Sequence, residues 1–388
     1  MLGCRDRHWM RVFASFRSKK TSLFSALATA ALIAFAMPNC VLSQQPLTTL
    51  SSDDIARLAS QKSSLAIMMK GDLRADQAAA IHKSKRQQVI LDLQTKVQDY
   101  RICRQSQIVA AQALELHFGL ATIAAIEPIQ NEIDTLLQLN QERQTRAIER
   151  GVSILDPTAI DRLVVTANDS KLQSLSKATQ LRSQLALLVD PSIACYYIPE
   201  PMSIPDMGAQ LDHCQMIEMA MHQRCDLVGL VYLRSQLNEQ TLDVARWMSD
   251  LLSGSVSFSP LKCNRIFSLI GIVLPKEKAA RQEELCVRLA MLDQAIASLR
   301  EKIASEVDIA IDKQLTAAQR YANSLLQIEH WQTRVAQLRA YGDQVKAQPA
   351  EELESAMQRL QVRSELVQRQ GEWHQAIVEL ALAVGCIP

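Results

Sequence analysis

Apolar residues recur along most of this chain at the three-and-four spacing of a helix that buries one stripe. The clearest run lies between Lys276 and Tyr341. Leu285, Leu289, Leu292, Ile296, Leu299, Ile303 and Val307 lead into Ile311, Leu315, Ala318, Ala322, Leu325, Ile328, Trp331, Val335 and Leu338. Such a heptad seam marks helices that lie lengthwise against one another. No Gly or Pro interrupts it, so the pattern predicts an unbroken rod of about 100 Å at 1.5 Å per residue. A second rod is expected over 81–150, with Leu116, Leu120, Ile123, Ile126, Ile129, Ile133 and Leu136 as its stripe. Pro128 falls inside it and predicts a kink or a join.

Each rod runs into a short break. After the first, Gly151 opens the turn, Asp156 is expected to cap a new helix and Pro157 to take its first position. The second break runs from Gly342 to Pro349. Return helices are expected over Pro157–Val189 and Pro349–Val384, folded back beside their rods because the connections are short. The fold class is therefore mainly α: two repeated long antiparallel α-hairpins. Between them, Pro191, Pro199, Pro201 and Pro205 predict an extended passage, followed by a single helix over Asp206–Leu252. Two β-like runs then make one short β-hairpin near 254–274, where Val256 and Phe258 alternate with serines before a β-branched stretch. The organisation is a short helix and linker (44–80), a first repeat (81–190), a middle segment (191–275) and a second repeat (276–388).

Residues 1–43 change the picture of where the chain works. Arg5, Arg7, Arg11, Arg17, Lys19 and Lys20 precede the charge-free apolar run Thr21–Met37. With small or tolerated residues before Gln44, this is the pattern of a cleaved export signal. Its removal turns a formal net charge of +1 into a mildly acidic mature chain, which excludes nucleic acid as a partner. Export places the remaining cysteines, Cys103, Cys195, Cys214, Cys225, Cys263, Cys286 and Cys386, in an oxidising compartment. Their odd number and irregular spacing suggest no compact framework, and buried single cysteines are expected. Only 11 glycines in 388 residues leave few residues for the tight turns and phosphate loops of a typical α/β enzyme.

Candidate chemistry is sparse. No Walker loop, H-E-x-x-H, G-x-S-x-G or C-x-x-C occurs, so no catalytic residue, metal or cofactor is expected. His222, Cys225 and Asp226 have the best ligand spacing, one face of the expected helix. Packing and exposure explain them as well as a metal does. Met216, Met219 and Met221 nearby read as gap-fillers in a helical interface.

The order of several segments resembles the TolC-like outer-membrane efflux family. Ala110-Ala111-Gln112-Ala113-Leu114-Glu115-Leu116 with Phe118, Leu120 and Ala121 is similar to the family's first descending helix. Gly151 with Asp156 resembles its hairpin tip. Ala220 followed by Arg224, Cys225, Asp226 and Leu227 is similar to its A-x-x-x-R-P-D-L signature, with Cys225 in place of the proline. Leu274-Pro275 with Lys278, Ala280, Arg281 and Glu283 resembles the entry to its second long helix, and Glu306-Val307 with Ala310 fits that helix. Ala376, Leu380, Ala383, Val384 and Gly385 resemble its last helix. The resemblance covers about 85–388. It implies a homotrimeric export duct in the outer membrane and periplasm, fed by an inner-membrane pump through a periplasmic adaptor protein. That adaptor would meet the tips at Gly151, Asp156 and Gly342. The family builds its barrel in outer-membrane lipid from two strand hairpins per protomer, whereas here only 254–274 is visible. The alternative is an exported, non-conducting coiled-coil structural or adaptor protein.

Overall fold

In the computed structural model the described residues are 48–79, 84–151, 157–190, 197–205, 212–242, 244, 275–342 and 349–387. The expected export signal, the strand pair near 254–274 and Asp156 lie outside them. Two short strands, β1 (Thr48–Leu50) and β2 (Tyr197–Pro199), and eight helices are described. The helices are α1 (Ser52–Lys62), α2 (Ser64–Ala79), α3 (Lys85–Glu149), α4 (Pro157–Leu188), α5 (His213–Gln223), α6 (Cys225–Gln236), α7 (Pro275–Gly342) and α8 (Pro349–Val384).

The long helices α3 and α7, of 65 and 68 residues, are the two rods. α3 begins where the Ser84 backbone N–H donates to Gln87 Oε1 (3.1 Å), supplying a partner to a group the helix itself leaves unpaired. It continues past Pro128 without a break in the helix; the join expected there does not occur. The flanking stripe, with Ile126 and Ile129 both buried, holds the helix together across the missing N–H. At the far end the Gly151 N–H donates to Ile148 O (2.9 Å), with φ at +73°. α4 and α8 then return as continuous helices of 32 and 36 residues.

Together these four form a wall in the order α4–α3–α8–α7, with α8 packed between α3 and α7. Heptad positions supply the seams. Ala317, Tyr321 and Leu325 of α7 meet Trp373, Ala376 and Ile377 of α8. Leu137 of α3 meets Leu353 and Met357 of α8. Smaller elements cover one end of the wall. α1 packs Ile55 and Ala59 against Val109 and Ala113 of α3, and α2 packs Ala66 and Met69 on Ile102.

Two expectations need correction, and one described pair of strands was not expected. The single helix expected over Asp206–Leu252 is instead α5 and α6, separated at Arg224, whose ψ of 110° is extended. The stretch 44–80 holds a strand and two helices rather than one helix and a linker. The strands that are described lie elsewhere than 254–274: β1 and β2 pair in parallel, Thr48 beside Tyr197 and Leu50 beside Pro199. Periodicity could not reveal this pair, because three residues are too few to show alternation.

Candidate functional site

The groups with most unusual surroundings gather where the two repeats meet, at the break between α5 and α6. α5 starts at Asp212, whose carboxylate accepts from the Cys214 N–H (2.9 Å), and its last turn buries Ala220 completely. The chain then turns at Arg224. α6 restarts with Asp226 in its first turn, whose Oδ1 accepts from the Leu227 N–H (3.0 Å), an acid where a helix N-terminus favours one. Leu227 is buried in the main core with Ile303, Val307 and Leu380.

This turn drives the Arg224 side chain, only 3% exposed, into the wall. Nε donates to Asp226 Oδ1 (3.0 Å) and Nη2 to Asp226 Oδ2 (2.7 Å). Nη1 donates to Glu306 Oε2 on α7 (2.5 Å) and to Ala383 O at the end of α8 (3.3 Å). Burial works against the guanidinium charge, but the bonds to Asp226 and Glu306 outweigh it and hold Arg224 above its ordinary range. Asp226 is half-buried, yet Arg224 first and Arg104 after it hold its carboxyl below the usual carboxylate range. Arg104 of α3 completes the knot. Its Nη1 donates to Leu382 O (2.8 Å), while Gln107 Nε2 donates to Gly385 O (2.9 Å).

The last carbonyls of α8 thus receive donors from α3 and from the α5–α6 turn, the favourable end of the helix for cations. Gly385 is required there for two reasons. Its φ is +87°, and a Cβ would stand 3.2 Å from the Gln223 carbonyl and the Arg224 nitrogen. Beside the knot, Cys103 of α3 and Cys225 of α6 form a disulfide across a sequence separation of 122. The expectation of buried single cysteines is overturned here. It fails also at Cys214, Cys286 and Cys386, which are free but exposed.

These partners account for the sequence candidates. Ala220, Arg224, Asp226 and Leu227 come together as one structural unit. His222, Cys225 and Asp226 do not make a metal site: the helix breaks between them, Cys225 is bonded to Cys103 and Asp226 faces arginines. No cluster able to hold a metal ion is present among the described residues. Gly151 and Gly342 end their rods, far along the helices from the knot. Sequence reasoning missed Arg104, Gln107 and Cys103. Only the expected export to an oxidising compartment hinted that thiols could pair, and no spacing pointed to Cys103.

A second cluster binds the extended passage to the wall. The buried His117 of α3 shares a hydrogen bond through Nδ1 with the Tyr197 hydroxyl of β2. Burial, with His374 nearby, pushes His117 down to about 4. Phe118 stacks on His374 of α8 at 4.5 Å between ring centroids. His374 Nε2 bonds to Ser203 O (2.7 Å), and Gln370 donates to Met202 O and Ser203 O (3.1 Å each). Burial lowers the His374 pKa despite that bond.

No protein-family model matches the chain, and no curated protein sequence does. Solved structures do. A membrane protein from Pseudomonas aeruginosa superposes with a TM-score of 0.63 at 11% identity, over 86% of this chain and 93% of that one. CusC, described in connection with transmembrane channel formation, gives 0.59 at 11% identity over 90% and 96%. The outer membrane protein VceC from Vibrio cholerae gives 0.57 at 10% identity over 86% and 96%. At such identity the likeness concerns architecture, and it spans nearly the whole of each partner. The fold of this chain is that of the TolC-like outer membrane channels.

Proposed function

We propose that the chain is a subunit of a trimeric export duct, exported to the outer membrane and periplasm, where it passes small molecules or proteins outward. The carrying observation is the four-helix wall, which shares its architecture with outer membrane channels over 86–90% of the chain. A stave with apolar edges needs neighbours, and a ring of identical staves closes every edge. In this reading 81–190 and 276–388 are the two repeats of the stave, and 191–275 joins them. The tips around Gly151, Asp156 and Gly342 meet a periplasmic adaptor protein, which connects the duct to an inner-membrane pump. In this reading the chain is not an enzyme, and Arg104, Arg224, Asp226 and Glu306 serve to hold α3, α6, α7 and α8 together.

One observation favours the second reading, an exported coiled-coil protein that conducts nothing. α2 ends at Ala79 and α3 starts at Lys85, leaving only 80–84 between them. Two membrane strands of about 9–11 residues each have no room there, so the first of the two strand hairpins of such a barrel has no place before α3. Purification of the mature chain decides between the two. Trimers that float with outer membranes and conduct ions in planar bilayers are expected. A soluble monomer, or a membrane-bound trimer without conductance, overturns the duct.

A further inference from the structure

The groove between α3 and α8 is filled at one end and open at the other. At the filled end the extended passage lies against it. Gln370 of α8 donates to Met202 O and Ser203 O, while His374 bonds to Ser203 O and stacks on Phe118 of α3. Heptad steps carry the same face towards the tips. Gln370 leads to Arg363 and Ala356, and Phe118 leads to Glu132 and Leu139. Glu132 and Arg363 pair across the groove at 2.6 Å. Beyond the passage only α3 and α8 line this face among the described residues. A cavity of about 640 Å³ opens there, with Pro128, Leu136, Leu139, Ala356 and Leu360 in its lining. Beneath it the seam of the same helix pair is closed by Leu137, Leu353 and Met357. Ala356 and the short polar side chains of Asn131 and Thr135 leave the space above that seam unfilled.

One group in the lining is electrically unmatched. Arg359 is half-buried there, and its Nε is buried with no hydrogen-bond partner. The carboxylate of the lining, Glu132, is already met by Arg363. Among the described residues no carboxylate pairs with Arg359. A buried donor on a cation costs free energy when it finds no acceptor, so the cavity lacks one anion. Asn131 beside it has a side-chain amide that can donate as well.

We propose that the open part of the groove binds a single-chain amphiphile with a carboxylate head, a fatty acid, its head on Arg359 and its chain along the apolar lining. The guanidinium fork offers Nε and an Nη nitrogen in parallel to the two carboxylate oxygens. Apolar walls with one or two placed polar groups are the usual make-up of a small-ligand site, and the volume falls in the usual range. A neutral alcohol of the same chain length gains the apolar burial without the contact to the head. Such a groove would be present in a duct subunit and in a non-conducting coiled-coil protein alike.

Photolabelling of the full mature chain tests the site, using a diazirine-bearing dodecanoate below its micellar concentration and mass-spectrometric mapping of the labelled peptides. Label is expected within 128–139 and 349–360, competed by unlabelled dodecanoate and not by dodecanol. R359Q is expected to cut the label in these two segments roughly tenfold or more and to leave label elsewhere unchanged. A356W, which fills the cavity and keeps the charge, is expected to do the same. Equal labelling of the parent and R359Q overturns the anion site, as does competition by dodecanol as strong as that by dodecanoate. Label confined to the exposed leucines of α4 and α7 overturns the groove altogether. If R359Q unfolds, seen as label gained throughout the chain, R359K replaces it. Lys cannot offer the paired donors, so a several-fold loss is expected there too, and no loss overturns the carboxylate contact.

Discussion

The two return helices, α4 and α8, come from equivalent places in the two repeats and have opposite fates. α8 is clamped between α3 and α7, with Trp373 1% exposed and Leu360 2%, and its C-terminal carbonyls are tied down by Arg104, Arg224 and Gln107. α4 packs chiefly on α3, and its far side shows Val165, Leu172 and Leu187 to solvent. A duplication therefore need not give equal halves. Each hairpin gives one helix to the centre of the stave and one to its edge, but the first places its rod at the centre and the second its return helix.

Truncating the centre breaks the comparison most directly. Trp373→Ala removes a buried aromatic that packs on Tyr321 with ring centroids 5.5 Å apart. It is expected to cost about 3–5 kcal/mol in denaturant unfolding; a loss below about 1 kcal/mol would mean that α8 is not the clamped helix described. Opening the Cys103–Cys225 disulfide by Cys103→Ser, with Cys225→Ser to avoid a stray thiol, is expected to cost about 2–4 kcal/mol. Reducing agent should then leave the midpoint of the double variant unchanged while lowering that of the parent chain.

Gly371 sharpens the contrast at a single contact. A Cβ there would stand 2.0 Å from Thr122 Oγ1, so Gly371→Ala is expected to cost about 1–3 kcal/mol. Most of that should return when Thr122→Ala is added, and a double variant no better than the single one rejects the close approach.

The pH dependence expected of His117 is smaller and lies on the acid side. His117 titrates near 6.5 when unfolded and near 4 when folded. Its pKa is depressed, so its contribution is complete above about 6.5 and fades as pH falls towards 4. Unfolding midpoints should drop over that window. His117→Gln should flatten the His117 part of the drop, and an unchanged profile would deny the histidine its buried, neutral state. Smallest of all, Leu172→Ala on the open edge should move monomer stability by no more than about 0.5 kcal/mol. A larger loss would show that α4 is covered within its own chain.

The long elements were legible because their signal is repeated many times. The α7 seam recurs over about fifteen turns, and Pro157 and Pro349 announce the return helices. Arg224 was legible as part of a motif but not as a break, because Cys225 stands where a proline would have stopped the helix. The disulfide and the Arg104 contacts escaped because they join residues more than a hundred positions apart, and only the folded wall brings them together. The asymmetry of α4 and α8 escaped for a related reason: both show the same helical period, and which side is covered depends on the chain order of the wall.

The disulfide has one last consequence. The loop it closes contains the tip of the first hairpin, all of α4 and the part of α3 beyond Cys103, while the second tip lies outside any described covalent loop. A protease cut between Gly151 and Pro157 would leave two pieces joined by sulfur, and they would run as one band until reduced. A cut between Gly342 and Pro349 would leave α8 held only by packing and hydrogen bonds, so denaturant alone would release it. The first hairpin can be nicked without being lost, and the helix at the centre of the stave cannot.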